Sequence, residues 1–505
     1  MASQLKTGAR AAAVAVLAVL LAGCTVSGAS SEPFVPAHAE QALGSARAWQ
    51  PSLLIGLGDP ATSGLGRWPA QFDAAPATYD LDGDGIDEII VQGADSKVYV
   101  FRLTGEVLAV LPTTIPPAWH TERVLNAVEV AVLRPGEAPS LVITNHAAYV
   151  AVWRFDAGAS TSETFYFQQQ FDLRMDECRS NPGMDAKAAV GDLDRDGTLE
   201  IVVQTEERGF FALRADGSTL WSQCWGGGNS APIITDLEGD GRAEVIVASD
   251  GGLVAVFDGA KGNPLWTYDA AQAGIQPASI PVSPTVADLD GVAPLEVLFI
   301  ARHAPPGGPE TFADDHMAIF AVHQNPVTYQ AELLWMRQPD WANPLSNTRL
   351  VVQDIDGDGE PDILGMDWNT IGHKPGNWER LGPAHIFRLD ARGNDVWVRE
   401  METWWSNQDI AIADLDGLGA FSILVNGPAG PYDGLWRLSA ETGSAEAFLP
   451  LANWKVSRGP QLADLRNDGS MQLLFPVNPL DDAPRGAVVV FDLKVPYDAP
   501  WQGAT

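Results

Sequence analysis

The feature that most constrains this fold is a short acidic loop that the chain repeats. Its first copy is Asp80-Leu-Asp82-Gly-Asp84-Gly85-Ile86-Asp-Glu88, followed at once by Ile89-Ile-Val91. Carboxylates at loop positions 1, 3, 5 and 9 can converge on one point, because Gly85 at position 6 lets the backbone turn sharply. The carbonyl of Ile86 at position 7 can join them. Such an oxygen cage suits Ca2+, which takes six to eight hard oxygen ligands at about 2.3–2.6 Å. An EF-hand would need an acid at position 12, and that residue is Val91. The run after the loop is β-branched, so the loop feeds a strand and not a helix. The alternative is an acidic turn that holds no metal.

The copies set the period. Three more loops keep the pattern: Asp192, Asp194, Asp196 and Glu200; Asp236, Glu238, Asp240 and Glu244; Asp354, Asp356, Asp358 and Asp362. Decayed versions start at Asp288, Asp414 and Asp464, and a unit near Glu129 has the strands without the acids. Starts at 80, 129, 192, 236, 288, 354, 414 and 464 lie 44 to 66 residues apart. Repeats of this length, each unable to bury both faces alone, mean a propeller or a solenoid.

Within a unit, one apolar strand enters the loop and a second leaves it. A third follows, then a turn into a fourth, as in Leu253-Val-Ala-Val-Phe257, Asp258-Gly-Ala-Lys-Gly262, Pro264-Leu-Trp266. Four antiparallel strands per unit make a propeller blade, so the expected fold is an all-β propeller of about eight four-stranded blades, with seven as the alternative. A Trp recurring in the fourth strand is expected to pack between blades, the alternative being ligand stacking. Strand material is short at the end of the eighth unit, where Val495 is followed by Pro-Tyr-Asp-Ala-Pro. Ser52-Leu-Leu-Ile-Gly56 is therefore expected to complete that blade from the other end of the chain.

These loops resemble the FG-GAP/VCBS repeats of integrin α-subunit propellers and many bacterial surface proteins. The D-x-x-x-G-x-x-x-W pattern from Asp258 to Trp266 also resembles PQQ-type quinoprotein repeats. The resemblance spans nearly all of residues 75–495. It implies a calcium-binding propeller, in a family that includes adhesion receptors, lectins, lyase-associated propellers and assembly factors.

Ahead of the repeats, Lys6 and Arg10 precede an apolar run ending Leu21-Ala-Gly-Cys24. The run reads as a secretory signal, too short to span a bilayer stably. Its end resembles a bacterial lipobox, which implies cleavage before Cys24 and lipidation of that thiol. A plain signal cleaved elsewhere is the alternative. The expected organisation is a signal over 1–23, a tether over 24–50 and one propeller domain over 51–505. Cys178 and Cys224 are then left in an exported chain and flank one blade, so they are expected to pair, against two buried free thiols.

Strand order places every acidic loop on one face. Nearly all long insertions fall on the other, carrying Trp341, Trp368, Trp378, Trp404, Trp405 and Tyr432. Long loops on a rigid scaffold suit a glycan or protein ligand, and the alternative is a lid that buries its own tryptophans. A net charge of −34 with only seven lysines argues against a nucleic-acid partner. The eight histidines form no zinc signature such as H-E-x-x-H, and there is no nucleophile elbow or phosphate-binding loop. The expected protein is a lipid-anchored, extracytoplasmic, calcium-stabilised binding or adhesion module, touching membrane only through its anchor. An envelope-assembly scaffold and a polysaccharide lyase-like enzyme are the alternatives. His373, Lys374 and Arg380 are the only hint of catalysis.

Overall fold

The residue at loop position 9 opens a strand that is apolar on both faces. Glu88–Gly93, Ser140–Thr144, Glu200–Gln204, Glu244–Ala248, Asp362–Met366 and Ser422–Asn426 are buried along their whole lengths. Continuous burial requires cover on both sides, and a blade wedged between two others supplies it. The fourth strands are not continuously buried, as in Thr219–Cys224, where Trp221 is buried between half-buried Leu220 and exposed Ser222.

The computed structural model describes most of residues 72–496, with Arg47–Ala48 and Ser52–Ile55. The loops at 114–126, 146–148, 156–164, 173–183, 304–315, 341–347, 368–370, 402–409, 428–432 and 480–485 lie outside the described residues, as do shorter gaps. Among the described residues the strands form eight blades with one shared antiparallel order. Blade one runs Ala77–Tyr79, Glu88–Gly93, Lys97–Phe101 and Val107–Pro112. The others occupy 129–172, 189–224, 233–269, 285–337, 351–401, 411–451 and 461–496. This is an all-β, eight-bladed propeller, and the seven-bladed alternative is set aside.

Blade eight supplies three strands of its own, Gln461–Ala463, Ser470–Pro479 and Ala487–Pro496. Its fourth is Ser52–Ile55, which pairs antiparallel with Val490, Phe491 and Asp492. Closure by exchange of the termini is therefore present as expected. Just upstream, Arg47–Ala48 pairs parallel with Ala447 and Phe448 on the outer edge of blade seven.

No blade owns a core. Each hydrophobic cluster is shared by two neighbours, as where Phe210, Trp221, Val245 and Phe257 join blades three and four. The ring closes through Phe72, Ile89, Tyr99, Phe101, Leu465, Leu474 and Val488, which join blade eight to blade one. The recurrent Trp belongs to these joints. Trp221 donates its indole N–H to the Gly259 carbonyl at 2.6 Å, Trp335 to Ala391 at 2.9 Å and Trp397 to Ala440 at 3.0 Å. Each indole thus lies on the third-to-fourth turn of the following blade. A Cβ built on Gly262, Gly393 or Gly443 would fall within 2.4–2.8 Å of that ring, so these turns need glycine for room as well as for positive φ.

The two faces differ as the strand order requires. On the acidic-loop face, backbone bonds link neighbouring loops: Asp87 N–H donates to the Leu465 carbonyl at 2.8 Å, Leu199 to Leu133 at 2.9 Å and Leu295 to Leu237 at 2.9 Å. On the opposite face, buried amides tie the connections between blades. Asn145 Nδ2 donates to the Thr113 carbonyl, and Asn478 Oδ1 accepts from Phe72 N–H at 2.9 Å. This second face also carries additions. A hairpin, Ile371–Lys374 with Asn377–Arg380, stands between the second and third strands of blade six. Ala278–Ser279 and Trp454–Val456 add short strands to blades five and eight.

Candidate metal loops and the opposite face

The loops are built by their own carboxylates before any ion is considered. Asp80 Oδ1 accepts from Gly83 N–H at 2.8 Å and its Oδ2 from Gly85 N–H at 3.0 Å. Asp84 Oδ1 accepts from Ile86 N–H at 2.8 Å, and Glu88 Oε2 reaches back to Leu81 N–H at 3.0 Å. The other intact loops repeat the set: Gly197 donates to Asp192, Thr198 to Asp196 and Leu193 to Glu200. Gly241, Arg242 and Leu237 donate to Asp236, Asp240 and Glu244, and Gly359, Glu360 and Ile355 to Asp354, Asp358 and Asp362. Gly85, Gly197, Gly241 and Gly359 all have φ between 76 and 88°, the left-handed turn expected at position 6.

The first-position acids Asp80, Asp236 and Asp354 spend both oxygens on the turn and the ninth-position acids one, and the acceptor capacity left over decides whether a cation can be held. Asp80, Asp82 and Glu88 bring ligand atoms within 4.8 Å of one another, as do Asp192, Asp194 and Glu200, and Asp354, Asp356 and Asp362. Asp236, Glu238 and Glu244 are not gathered that closely. The fifth-position acids Asp84, Asp196, Asp240 and Asp358 are exposed. The buried ninth-position acids feel the site most: burial pushes Glu88, Glu200 and Glu244 up to about 7, against the pull of the bond from the leucine N–H.

The gathered loops are not equivalent. In blade one, Arg102 from the end of the third strand reaches Asp82 at 2.8 Å and Asp84 at 3.7 Å. In blade six, Arg388, only 2% exposed, lies 2.5 Å from Asp356 and 2.6 Å from Asp362. In decayed blade seven, Arg437 likewise pairs with Asp416 and Glu446. A guanidinium stands in these loops where a cation would. The Asp192 loop has no such partner, and Asp192 Oδ1 is buried without a hydrogen bond. Sequence reading missed these arginines because each comes from a third strand, 14 or more residues away, and reaches the loop only through cross-strand register. In a further gathered group, Asp290 and Glu296 come from the decayed loop that starts at Asp288, and the member that sequence reading missed is His323.

The opposite face is described in part. Trp341, Trp368, Trp404, Trp405 and Tyr432 lie outside the described residues. The backbone of Trp378 pairs with His373 in the blade-six hairpin, with Lys374 and Arg380 on the same two strands. Beneath it, buried Asp367 accepts from the backbone N–H of His385 and lies 2.8 Å from His385 Nδ1. Cys224, at the end of blade three, is disulfide-bonded. Cys178 lies outside the described residues, as does Cys24. Among the described residues no helix is long and apolar enough to cross a membrane.

Ring, loop face and joints define an eight-bladed β-propeller with acidic loops along one face. No protein-family model matches the chain, and none of the curated proteins compared is significantly similar to it. Solved structures do share the fold. Saccharomyces cerevisiae Sqt1 superposes with a TM-score of 0.54 at 11% identity, covering 89% of this chain and 100% of that one. The exotype rhamnogalacturonan lyase YesX gives 0.51 at 15%, covering 84% and 72%. BamB from Moraxella catarrhalis gives 0.48 at 14%, covering 83% and 96%. At such identities the likeness is one of architecture alone.

Proposed function

We propose that this protein is an extracytoplasmic, lipid-anchored, calcium-stabilised β-propeller of FG-GAP/VCBS type that binds a glycan or protein ligand on its long-loop face. The observation that carries the reading is the contrast between the faces. The acidic-loop face is a ring of short, repeated turns, whereas the opposite face bears the blade-six hairpin, the added strands and the long connections. Variable loops on a rigid frame are where recognition concentrates. The disulfide at Cys224 favours an oxidising compartment and supports the secretory reading of the N-terminus. Calcium, in this reading, holds loops together and takes no part in chemistry, with the Asp192 loop, whose gathered acids Asp192, Asp194 and Glu200 pair with no arginine among the described residues, as its best site.

The ligand reading is tested on a glycan array and by affinity capture, comparing the parent with a variant whose residues 371–380 are replaced by a short Gly-Ser link. The variant is expected to lose more than 10-fold in binding while melting like the parent. A variant that keeps every interaction overturns the assignment of this face. For calcium, a cation bound only by the native state adds RT ln(1 + [Ca]/Kd), roughly 3 kcal/mol per site at a hundredfold excess. Excess chelator is therefore expected to lower the melting temperature, and Asp194→Ala to remove part of that drop. An unchanged melting temperature refutes calcium stabilisation.

A further inference from the structure

The fifth blade carries the loop that departs furthest from the repeat and is still gathered around one point. It keeps acids at positions 1, 3 and 9, but position 5 is Val292, 63% exposed, and position 6 is Ala293 in place of glycine. Asp288 and Asp290 still accept from Gly291 and Val292 N–H, and Glu296 Oε2 still accepts from Leu289 N–H at 2.6 Å. What has changed is the residue across from Glu296. The pairing of Val297 with Val322 sets Glu296 opposite His323, whereas the same position holds Arg102 in blade one and Asp258 in blade four.

Glu296 is 0% exposed, and its second oxygen, Oε1, is buried with no hydrogen-bond partner. That oxygen lies 3.8 Å from His323 Nδ1, and ligand atoms of Asp290, Glu296 and His323 fall within 4.8 Å of one another. A buried carboxylate oxygen left unsatisfied is costly, and a cation shared with the imidazole and Asp290 would satisfy it. Two ligands each about 2.0–2.1 Å from one tetrahedral ion stand about 3.3 Å apart, so the pair needs to close by only about 0.5 Å. The donor set selects the ion. Calcium favours oxygen ligands, six or more of them, and this loop has lost one acid and gained a nitrogen. One imidazole and two carboxylates suit zinc and its neighbours among the divalent transition metals. His323 is about one-fifth exposed, which leaves the site open for water or a further ligand.

We propose that Asp290, Glu296 and His323 form a binding site for a divalent transition cation of the zinc class, distinct from the calcium loops of the other blades. The two kinds of site share one scaffold and differ in the fifth-position acid, lost here to Val292, and in the third-strand residue facing position 9. Its test is zinc binding to the full chain, stripped with chelator and returned to excess Ca2+, measured by competition with a chromophoric chelator. One zinc per chain is expected that calcium does not displace, and cobalt in its place is expected to give the visible absorption of a low-coordinate site. His323→Ala, Glu296→Gln and the exposed Asp290→Asn are each expected to weaken zinc by at least the ~10–100-fold that loss of a supporting group costs other metal sites. Glu296→Gln guards against misfolding, because Gln472 holds the same place in blade eight and its Oε1 accepts from Leu465 N–H at 2.7 Å. A parent that binds no zinc in calcium, or variants that bind it as the parent does, overturns the proposal.

Discussion

Asp433 opens the third strand of blade seven only 3% exposed, and burial pushes its carboxyl up to about 7, against bonds from the Gly434 and Val456 backbone and the charge of Lys455. A folded carboxyl titrating that high keeps its proton where the unfolded one, near the ordinary 3.8, has lost it. The native state then binds more protons, so stability falls as pH climbs from about 4 to 7, by up to about 1.4 kcal/mol per pH unit, and stays low above that window. Asp433→Asn keeps an acceptor for Gly434 N–H and removes the charge. In urea denaturation at fixed calcium it is expected to exceed the parent by about 2–4 kcal/mol at pH 8 and to match it near pH 4. A gap of equal size at both pH values would exclude the buried charge as its source. Arg388 poses the converse case, a buried cation holding two acids together. Arg388→Gln leaves Asp362 buried and unpaired, a loss of about 3–5 kcal/mol where buried pairs have been broken. Because the vacated place is that of a cation, calcium is expected to restore much of the melting temperature of this variant, and little of it if the loop cannot take the ion.

At the scale of the element, the turn between third and fourth strands serves as a socket for the indole of the blade before. Gly443 is the clearest case, with φ of 67° and room for a Cβ only 2.7 Å from Trp397. Gly443→Ala combines a left-handed backbone with overlap of that ring, and is expected to cost about 2–4 kcal/mol. Trp397→Phe loses only the N–H bond to Ala440 and some contact, and is expected to cost about 1–2 kcal/mol. Thermal melts of the two order them, and a tolerated alanine would show the turn able to shift. These sockets were legible in part because a Trp follows a turn glycine by four residues in several blades, as in Gly217 and Trp221, Gly262 and Trp266, and Gly393 and Trp397. So were the loops, since every ligand from Asp80 to Glu88 lies within one turn of chain and the strand it opens. The arginines and His323 were not. They meet the acids across the pairing of second and third strands, between segments separated by turns or insertions of differing length. Once the third strands are aligned on position 9, the variation from Arg102 to Asp258 to His323 is visible in the sequence itself.

Across the whole molecule, stability resides in joints. Because each apolar cluster is shared by two blades, losing one strand exposes surface on both sides of it. Deleting residues 50–58 removes the fourth strand of blade eight and is expected to lower the melting temperature in a single cooperative step. A truncated chain that melts like the parent would rule the closure out. The seam between blades eight and one is fastened on both faces, by Asn478 to Phe72 on one and by Asn467 to Gly85 and Asp87 on the other. The strand that shuts the ring has a mechanical meaning too. Arg47–Ala48 lies along blade seven and Ser52–Ile55 along blade eight, so the chain arriving from the N-terminus is laced to two successive outer edges. A pull on that end loads the two pairings in series, the short parallel one first, before any force reaches the joints. If the protein hangs from a membrane while its far face grips a ligand, the leash and the clasp of the ring are one piece of chain. The tension at which the molecule lets go is then set by six residues and not by its eight blades.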